Sequence, residues 1–502
     1  MKSRRKKKGI FSKLLSKGVI LTLQLIASIV FLGYIYILKM LPLRYYLILE
    51  VIVIFLFLGE VIWITAGARK KRRTGKRFKI FISKLTSIVL SVFMITVSVF
   101  ASRGNDFLNN ITNAFTQTRV IAVYVMKDSE IENVDDLKDK SIGVDYNTSN
   151  ASIKETLNKL YDELGSHLDE TNYDNYASLA DALYNNDVDC IIADQSFLSN
   201  LETNHESFSD ETKVIYQYEI TENINSVTTK TNVTKKPFIV YLTGIDTYGS
   251  VSSISRADVN LLVCVNPIEK QILMVSIPRD TQVNLHMNGQ MDKITHSAMY
   301  GINETIQTLE DFLDLEVNYY AKTNFSGITN IIDALGGVTV NSDYAFTTLH
   351  GNYQIVKGKN EMDGDKALCF VRERYALPNG DFDRGKNQQK LLKAILDKAM
   401  SSTIITNYNN ILSAIEGTFE TDMASDDIRA LINMQLDDMA SWEMFNVQVT
   451  GDPEYTYKTY SQKGQRTYVT IPDEDKLEDI KAVINKIESG QVITDDDVSG
   501  LE

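Results

Sequence analysis

Three apolar runs, Val19–Leu38, Tyr45–Ala68 and Ile80–Ala101, follow one another at the front of the chain. Each reaches or nearly reaches the roughly 20 residues a helix needs to cross a bilayer. They come in series and no small-residue cleavage site follows the first, so the pattern predicts three membrane-spanning helices and not a removable leader. Beyond them the texture changes. Asn105–Thr118 is polar and reads as a stalk. In residues 119–220, Val120–Met126 and Asp187–Asp194 are strand-like apolar runs, and Asp135–Val144 turns into a further strand. Ser152–Leu164 repeats Ile153, Leu157, Leu160, Tyr161 and Leu164 at the helical period. This segment predicts a small α/β accessory domain. Thr221–Lys236 lacks apolar periodicity and runs into Pro237, so a linker is expected.

Residues 237–490 form the largest stretch of mixed pattern. Phe238–Leu242 is a strand candidate, and Val259–Val265 and Gln271–Ile277 are apolar runs joined by Asn266–Lys270, a hairpin signal. Helical periodicity follows at His296–Leu313 and Phe325–Leu335, then a Gly336-Gly337 break and the strand Val338–Val340. Further helices are expected at Lys386–Met400, Asn407–Glu416 and Ser425–Met439. Strands interleaved with helices predict an α/β domain, an α+β sandwich whose central mixed sheet is flanked by helices. Residues 491–502 read as a frayed acidic tail. With residues 1–104 as the basic front and spans, 105–118 as stalk, 119–220 as accessory domain and 221–236 as linker, the plan covers all 502 residues.

Charge orients this plan. Residues 1–104 carry 20 Lys and Arg against 2 acidic residues, leaving −31 on the remainder of a chain whose total is −13. The basic clusters Lys2–Lys8 and Arg69–Lys79 flank the spans, while the connection Lys39–Arg44 is short. The positive-inside rule then puts the N-terminus in the cytoplasm and everything after Ala101 outside, in a multi-pass membrane protein. An exported part this acidic excludes nucleic-acid binding through bulk charge, and the basic front is met by anionic membrane lipid. Cys190, Cys264 and Cys369 sit in apolar stretches and fit neither a zinc site nor a disulfide framework. That usage suits an envelope without disulfide reliance, of the Gram-positive type.

The chemistry gathers in Asp365–Gln389, DKALCFVRERYALPNGDFDRGKNQQ. On an extended strand Arg372 and Arg374 would leave the same face. Arg384 and Gln388 lie four apart at a helix start and share a face. Converging guanidiniums need an anion between them, and polyphosphate matches their paired donors. Three further clusters end strand candidates, where α/β folds place ligand residues. They are Gly244-Ile245-Asp246, Arg256-Ala257-Asp258, and Pro278-Arg279-Asp280 with Lys293. Singly, each has a plain structural reading: a turn residue for Asp246, a surface pair for Arg256 and Asp258, an internal strut for Arg279-Asp280. Together, Asp246 and Asp258 with a polyphosphate offer the oxygen ligands of Mg²⁺, with Mn²⁺ as the alternative. The arginines and Lys293 would neutralise charge as a P–O bond breaks. No Ser-His-Asp or Cys-His arrangement is legible, and His296 reads as a cap or core residue.

The order GID, SRAD, SIPRDT, KITHSAMYG, IIDALGGVTV, ALCFVRER and DFDRGKNQQ over residues 237–400 is similar to the LytR–CpsA–Psr (LCP) family of envelope proteins. The three-span front and extra domain resemble its capsule-associated CpsA branch. Residues 119–220, with DLKDKSIGV and ALYNNDVDCIIAD, resemble one lobe of a solute-binding fold. The LCP resemblance implies an extracytoplasmic transferase. It would pass a glycopolymer, capsular polysaccharide in that branch, from a polyprenyl pyrophosphate to a peptidoglycan hydroxyl as a phosphodiester. It also implies capsule-synthesis membrane proteins as partners. By motif, Asp246 and Asp258 match the metal aspartates, and Arg256, Arg279, Arg372, Arg374, Arg384 and Gln388 match the pyrophosphate contacts. Lys293 matches the family lysine. The catalytic candidates are Arg279, Asp280, Arg372, Arg374 and Arg384, with Asp280 and Asp246 both open as the group that orients the acceptor hydroxyl. The family's last motif often reads R-x-x-R-Q, whereas Asn387 stands here in place of the second arginine, beside Lys386, a point charge without the fork. For the lipid tail, Ile302, Ile306, Leu309, Phe312 and Leu313, with Ile328, Ile331, Ile332 and Leu335, are candidate walls or plain core faces. Two alternatives use the same residues: a pyrophosphatase with water as nucleophile, and a non-enzymatic lipid or polysaccharide receptor regulating capsule synthesis. A transcriptional regulator is disfavoured by topology and charge.

Overall fold

The computed structural model describes residues 16–39, 41–74, 78–112, 116–245, 249–399, 411, 413–414 and 416–501. The chain divides into two compact units, Met1–Asn110 with Ser425–Ala440, and Ile111–Ala424 with Ser441–Glu502.

In the first unit, helices α1 (Lys17–Ile37), α2 (Leu43–Thr74) and α3 (Phe78–Thr112) are long and apolar enough to cross a bilayer. Phe31, Ile35, Val53, Met94 and Ala101 pack between them, and Ser87 Oγ donates to Gln24 Oε1 at 2.5 Å. The expected stalk is helical instead: α3 continues through Asn105 to Thr112, and a strand starts at Thr116. A fourth helix, Ser425–Asp438, joins this unit from far along the chain. Asp426 pairs with Lys39 (2.9 Å), Asp437 with Arg44 (2.7 Å), and Arg429 donates to Asn105 (2.5 Å).

Among its described residues the second unit holds two large sheets and four two-stranded ones. The first has the order β3-β2-β4-β1-β5, made from β1 (Thr116–Met126), β2 (Ser141–Val144), β3 (Asp169–Asn172), β4 (Cys190–Asp194) and β5 (Thr212–Asn223). Helix α4 (Asn150–Leu164) covers one face through Ile153, Leu157 and Leu160, and α5 (Tyr176–Tyr184) the other through Leu179 and Leu183. The region expected as a linker is partly strand, since β5 runs to Asn223, and the rest is tied down at particular residues. Ser226, Thr228 and Lys230 each place a side chain 2.6 Å from Asp422 Oδ2, satisfying a buried carboxylate, and Val233 is buried.

The second sheet is mixed, as the sequence predicts, with the order β16-β11-β6-β7-β8-β17. Its strands begin with β6 (Phe238–Ile245), β7 (Ala257–Asn266) and β8 (Gln271–Ser276). The β7–β8 turn is closed by Asn266 Oδ1, which accepts from Ile268 and Glu269, with Lys270 at φ 57°. The short strands β9 (Gln282–Asn284) and β10 (Met291–Lys293) follow, then α6 (Ile302–Leu313), β11 (Tyr319–Thr323) and α7 (Phe325–Ala334). Next come β12 (Val338–Ser342), β13 (Phe346–Thr347), β14 (Gln354–Ile355), β15 (Gly358–Met362), α8 (Gly364–Arg372) and α9 (Asp381–Ala399). The chain closes with β16 (Phe419–Thr421), β17 (Glu443–Gln448), β18 (Gly451–Thr456), β19 (Thr467–Pro472) and α10 (Glu474–Glu488).

On one face, α6 and α10 bury Ile306, Leu309, Ile480 and Ile484 against Tyr241, Leu262 and Leu273. On the other lie α7, α8 and α9, which share a core through Ile332, Phe370, Val371 and Leu391. The helix expected over His296–Leu313 is broken at Gly301, whose φ of 111° no ordinary helical residue adopts. The C-terminus is not frayed: Val498 and Leu501 are buried, and Lys486 holds Asp497 at 2.7 Å. The helix expected at Asn407–Glu416 lies mostly outside the described residues.

Candidate functional site

Arg372 and Arg374 stand on a helix end, where the sequence reading has a strand. Asp363 caps α8 by accepting from Lys366 N at 2.9 Å, and Ala367, Leu368, Phe370 and Val371 form a buried helical face. The apolar run ALCFV therefore follows the helical period, and a short run cannot distinguish the two by itself. Helix α8 stops at Arg372 because the next carboxylate captures the chain. Glu373 accepts backbone N–H groups from Leu349 (2.6 Å), Arg374 (3.0 Å), Tyr375 (2.9 Å) and Ala376 (3.0 Å). Burial pushes its carboxyl up, but these bonds outweigh it and hold the group below the usual range. The clamp fixes Arg374, while the Arg372 guanidinium lies 4.1 Å over the Phe325 ring.

Arg384 and Gln388 are set by the way α9 meets the sheet. A Cβ at Gly385 would run into Gln448 Nε2 and Ser276 Oγ, so a larger residue would force these side chains to shift where α9 meets the sheet. Gln389 Nε2 donates to Met274 O (3.1 Å) and Val447 O (2.9 Å) on two neighbouring strands. Between these anchors, Arg384 and Gln388 face the cavity. On the strand side, Arg279 Nη1 donates to Asp258 Oδ1 at 2.6 Å. The loop leading to Arg256 is held by Thr118 of β1, which exchanges backbone bonds with Ser252 and Ile254 (2.9 Å each), and by Lys322 Nζ on Ser253 O (3.1 Å).

These side chains line one cavity of about 530 Å³. Its polar part carries Arg256, Asp258, Arg279, Arg372, Arg374, Arg384 and Gln388. Its apolar walls are Leu242 and Leu261 from the sheet, Ile328 and Ile331 from α7, Leu368 and Val371 from α8, and Leu391, Leu392 and Ile395 from α9. The arrangement suits an amphiphile with an anionic, oxygen-rich head and a hydrocarbon tail.

Seven of the sequence candidates thus converge. Asp280 and Lys293 do not line the cavity; they pair at 2.8 Å behind Arg279, both largely buried. Burial raises the Asp280 carboxyl, yet Lys293 and then Arg279 outweigh it and hold it below the usual range. They sit close enough to Arg279 for its charge to act on Asp280, and neither lines the cavity. Asp246 lies outside the described residues; Gly244 and Ile245, just before it, line the cavity. Of the candidate walls, Ile328 and Ile331 line this cavity. Ile332 and Leu335 are core, and the α6 residues pack on the opposite face of the sheet. His296 is a core residue: Nδ1 lies 2.6 Å from Asp292 and 2.8 Å from Ser461, and the His296 and Asp292 side chains are buried. Asn387 is buried outside the lining, as Lys386 is outside it, so the departure from the family motif faces away from the arginines.

Three features were missed: the Glu373 clamp, the Leu391–Ile395 wall, and Asp381. Arg384, Gln388, Leu391 and Ile395 follow helical spacing along α9, a signal present in the sequence. Asp381 pairs with Arg384 at 2.5 Å. Burial holds its carboxyl above the usual range despite Arg384, with Asp280 adding to the rise.

Among the described residues no three His, Cys, Asp or Glu side chains cluster as a metal cage. Mg²⁺ does not ask for one, since it is held by one or two carboxylates together with substrate phosphates and water. Asp258 offers such a carboxylate in the lining of an arginine-rich cavity, so the donor set fits that ion.

A model of the LytR_cpsA_psr family matches residues 195–486. The polyisoprenyl-teichoic acid–peptidoglycan teichoic acid transferase TagU of Enterococcus faecalis is 36% identical over 200 residues, 39% of this chain and 65% of its own. TagU of Bacillus licheniformis is 38% identical over 193 residues, 38% of this chain and 62% of its own. The chain therefore spans somewhat under two thirds of these relatives' length. Among solved structures, B. subtilis TagV is 27% identical, covering 52% of this chain and 99% of its own at a TM-score of 0.44. TagT bound to LI-WTA is 27% identical, covering 52% and 94% at a TM-score of 0.41.

Proposed function

The chain belongs to the LytR–CpsA–Psr family, and from that premise we propose that it transfers a glycopolymer from a polyprenyl pyrophosphate carrier to peptidoglycan outside the membrane. The observation that carries this reading is the cavity itself, with five arginines at one part and apolar walls from α7, α8 and α9 at the other. The head of a polyprenyl pyrophosphate needs the first and its tail the second. The TagU relatives are named for the same class of transfer with teichoic acid. For this chain we assign capsular polysaccharide, on the three-span front and accessory domain.

In the proposed reaction, an acceptor hydroxyl attacks the phosphorus that bears the sugar. A new P–O bond to the acceptor forms, the P–O bond to the lipid phosphate breaks, and polyprenyl monophosphate leaves; the hydroxyl proton passes to solvent. Arg279, Arg372 and Arg384 hold the two phosphates in line and take up charge as it shifts to the leaving oxygen. Glu373 keeps Arg374 in place, and the Asp280–Lys293 pair keeps Arg279 in place. Asp258, with Asp246, would hold Mg²⁺, whose positive charge would offset that of the pyrophosphate. The apolar walls exclude water, which would otherwise compete as nucleophile.

Sealed right-side-out vesicles bearing the full chain, given lipid-linked polymer, Mg²⁺ and external peptidoglycan fragments, test activity and topology together. Covalent transfer is expected without permeabilisation, and Arg372→Ala or Arg374→Ala should lower it by about 10²-fold or more. Unchanged transfer in both variants would reject the site. Transfer only after permeabilisation would reject the orientation, and release of phosphorylated polymer without an adduct would favour the pyrophosphatase.

A further inference from the structure

The arginines and the apolar walls of the cavity supply a site for the donor, but the proposed reaction has a second substrate, a sugar chain that must be held beside them. The β18–β19 hairpin carries an exposed aromatic surface. Its sequence, EYTYKTYSQKGQRTY, places four tyrosines within residues 454–468. Tyr455 and Tyr468 are direct cross-strand partners with ring centroids 5.6 Å apart, and the Arg466 guanidinium lies 4.1 Å from the Tyr455 ring. Tyr455 is 56% exposed and Tyr457 61% exposed. The opposite side of the hairpin, Thr456, Thr467 and Val469, is buried, so the aromatic side is the one presented outward.

Cross-strand pairing alone would account for Tyr455 and Tyr468, since such pairs stabilise hairpins. It does not account for Tyr457, which makes no ring contact among the described residues. The hairpin is also rooted on the backbone that carries the phosphate site. Thr470 N donates to Asp280 O at 2.8 Å, next to Arg279, and Tyr460 N donates to Met291 O at 2.9 Å, two residues from Lys293.

We propose that this hairpin is the docking platform for the acceptor, a peptidoglycan glycan strand whose sugar rings stack on Tyr455 and Tyr457. Tyrosine suits a sugar chain because its ring meets the apolar C–H face while its hydroxyl stays with the polar edge. The acceptor is the occupant because the donor is already anchored by its pyrophosphate. The proposal rests on the transferase reading for the identity of the second substrate, and its test does not require turnover.

The full chain in detergent micelles is titrated by calorimetry with a soluble β-1,4-linked N-acetylhexosamine oligosaccharide, with un-cross-linked peptidoglycan strands, with isolated donor polymer, and with inorganic pyrophosphate. Tyr457→Ala is expected to weaken binding of the first two by about tenfold, and Tyr457→Trp to restore it. Tyr455→Ala should act in the same direction, with pyrophosphate binding unchanged in every variant as the sign of an intact fold. Equal affinity for both sugar probes in wild type and Tyr457→Ala, or no wild-type binding, overturns the platform. Tyrosine-dependent binding of the donor polymer alone overturns the assignment to the acceptor. Failure of wild type to bind pyrophosphate would instead strike the transferase reading and leave the sugar result standing.

Discussion

At the scale of single residues, the site depends on side chains that touch no phosphate in the proposed reaction. Glu373 is the clearest case, since its four accepted bonds make the turn that ends α8 and aims Arg372 and Arg374. Glu373→Ala should therefore lower the melting temperature by the equivalent of about 2 kcal/mol, through N–H groups left without an acceptor. It should also raise KM for the lipid substrate more than it lowers kcat, because the arginines remain but lose their placement. A variant with wild-type stability and KM would remove the clamp from the account. The arginines and Asp258 were legible in the sequence because charge at strand and helix ends is informative one residue at a time. Glu373 was not, because it reads as the middle of an RER triplet and its partners are backbone groups, one of them 24 positions away. Asn387 was legible as a departure from the family motif. Its consequence was not, because burial away from the cavity is a property of how α9 lies on the sheet.

At the scale of elements, the sheet behind the cavity carries a buried ion pair. Lys322 on β11 and Glu420 on β16 are register partners 3.7 Å apart, and both are almost fully buried. Burial pushes the Glu420 carboxyl up to about 7, against the pull of Lys322. A carboxyl raised above its unfolded value is favoured in the fold when protonated. Its contribution to stability is therefore lost as pH rises from the unfolded range through about 7. Glu488, also raised to about 7 by burial and then by Glu316, acts with the same sign. The melting temperature of the full chain should fall between pH 5 and 7.5, and Glu420→Gln should flatten that fall even if the variant is less stable throughout. Identical slopes would show that the pair does not titrate in this window. Element types were mostly legible: the β7–β8 hairpin, α7 and the helix Ser425–Asp438 match their periodic patterns. ALCFVRE was misread because a short apolar run has no period of its own, and the cap at Asp363 decides it. The expected tail failed for a related reason, since Val498 and Leu501 are too sparse to reveal that they complete a core.

At the scale of the whole molecule, what stays out of reach of sequence reading is long-range assembly. The helix Ser425–Asp438 was expected, but not that it belongs with the three candidate membrane helices through Asp426 and Asp437. Nor was it legible that β1 of the accessory domain would hold the loop ahead of Arg256, which gives that domain a structural part in the site. The residues expected along a tail groove divide for the same reason: α6 and α7 have similar apolar faces, and only the fold shows that α7 borders the cavity while α6 packs on the far side of the sheet. The central claim is that one cavity takes both the phosphate head and the hydrocarbon tail of the carrier. An experimental structure of the full chain with bound polyprenyl monophosphate tests it most directly. Density is expected for the phosphate within hydrogen-bond reach of Arg279, Arg372 and Arg384, with the prenyl chain running along Ile331, Leu391 and Ile395. Density for the lipid elsewhere, with this cavity closed by its own side chains, would contradict it.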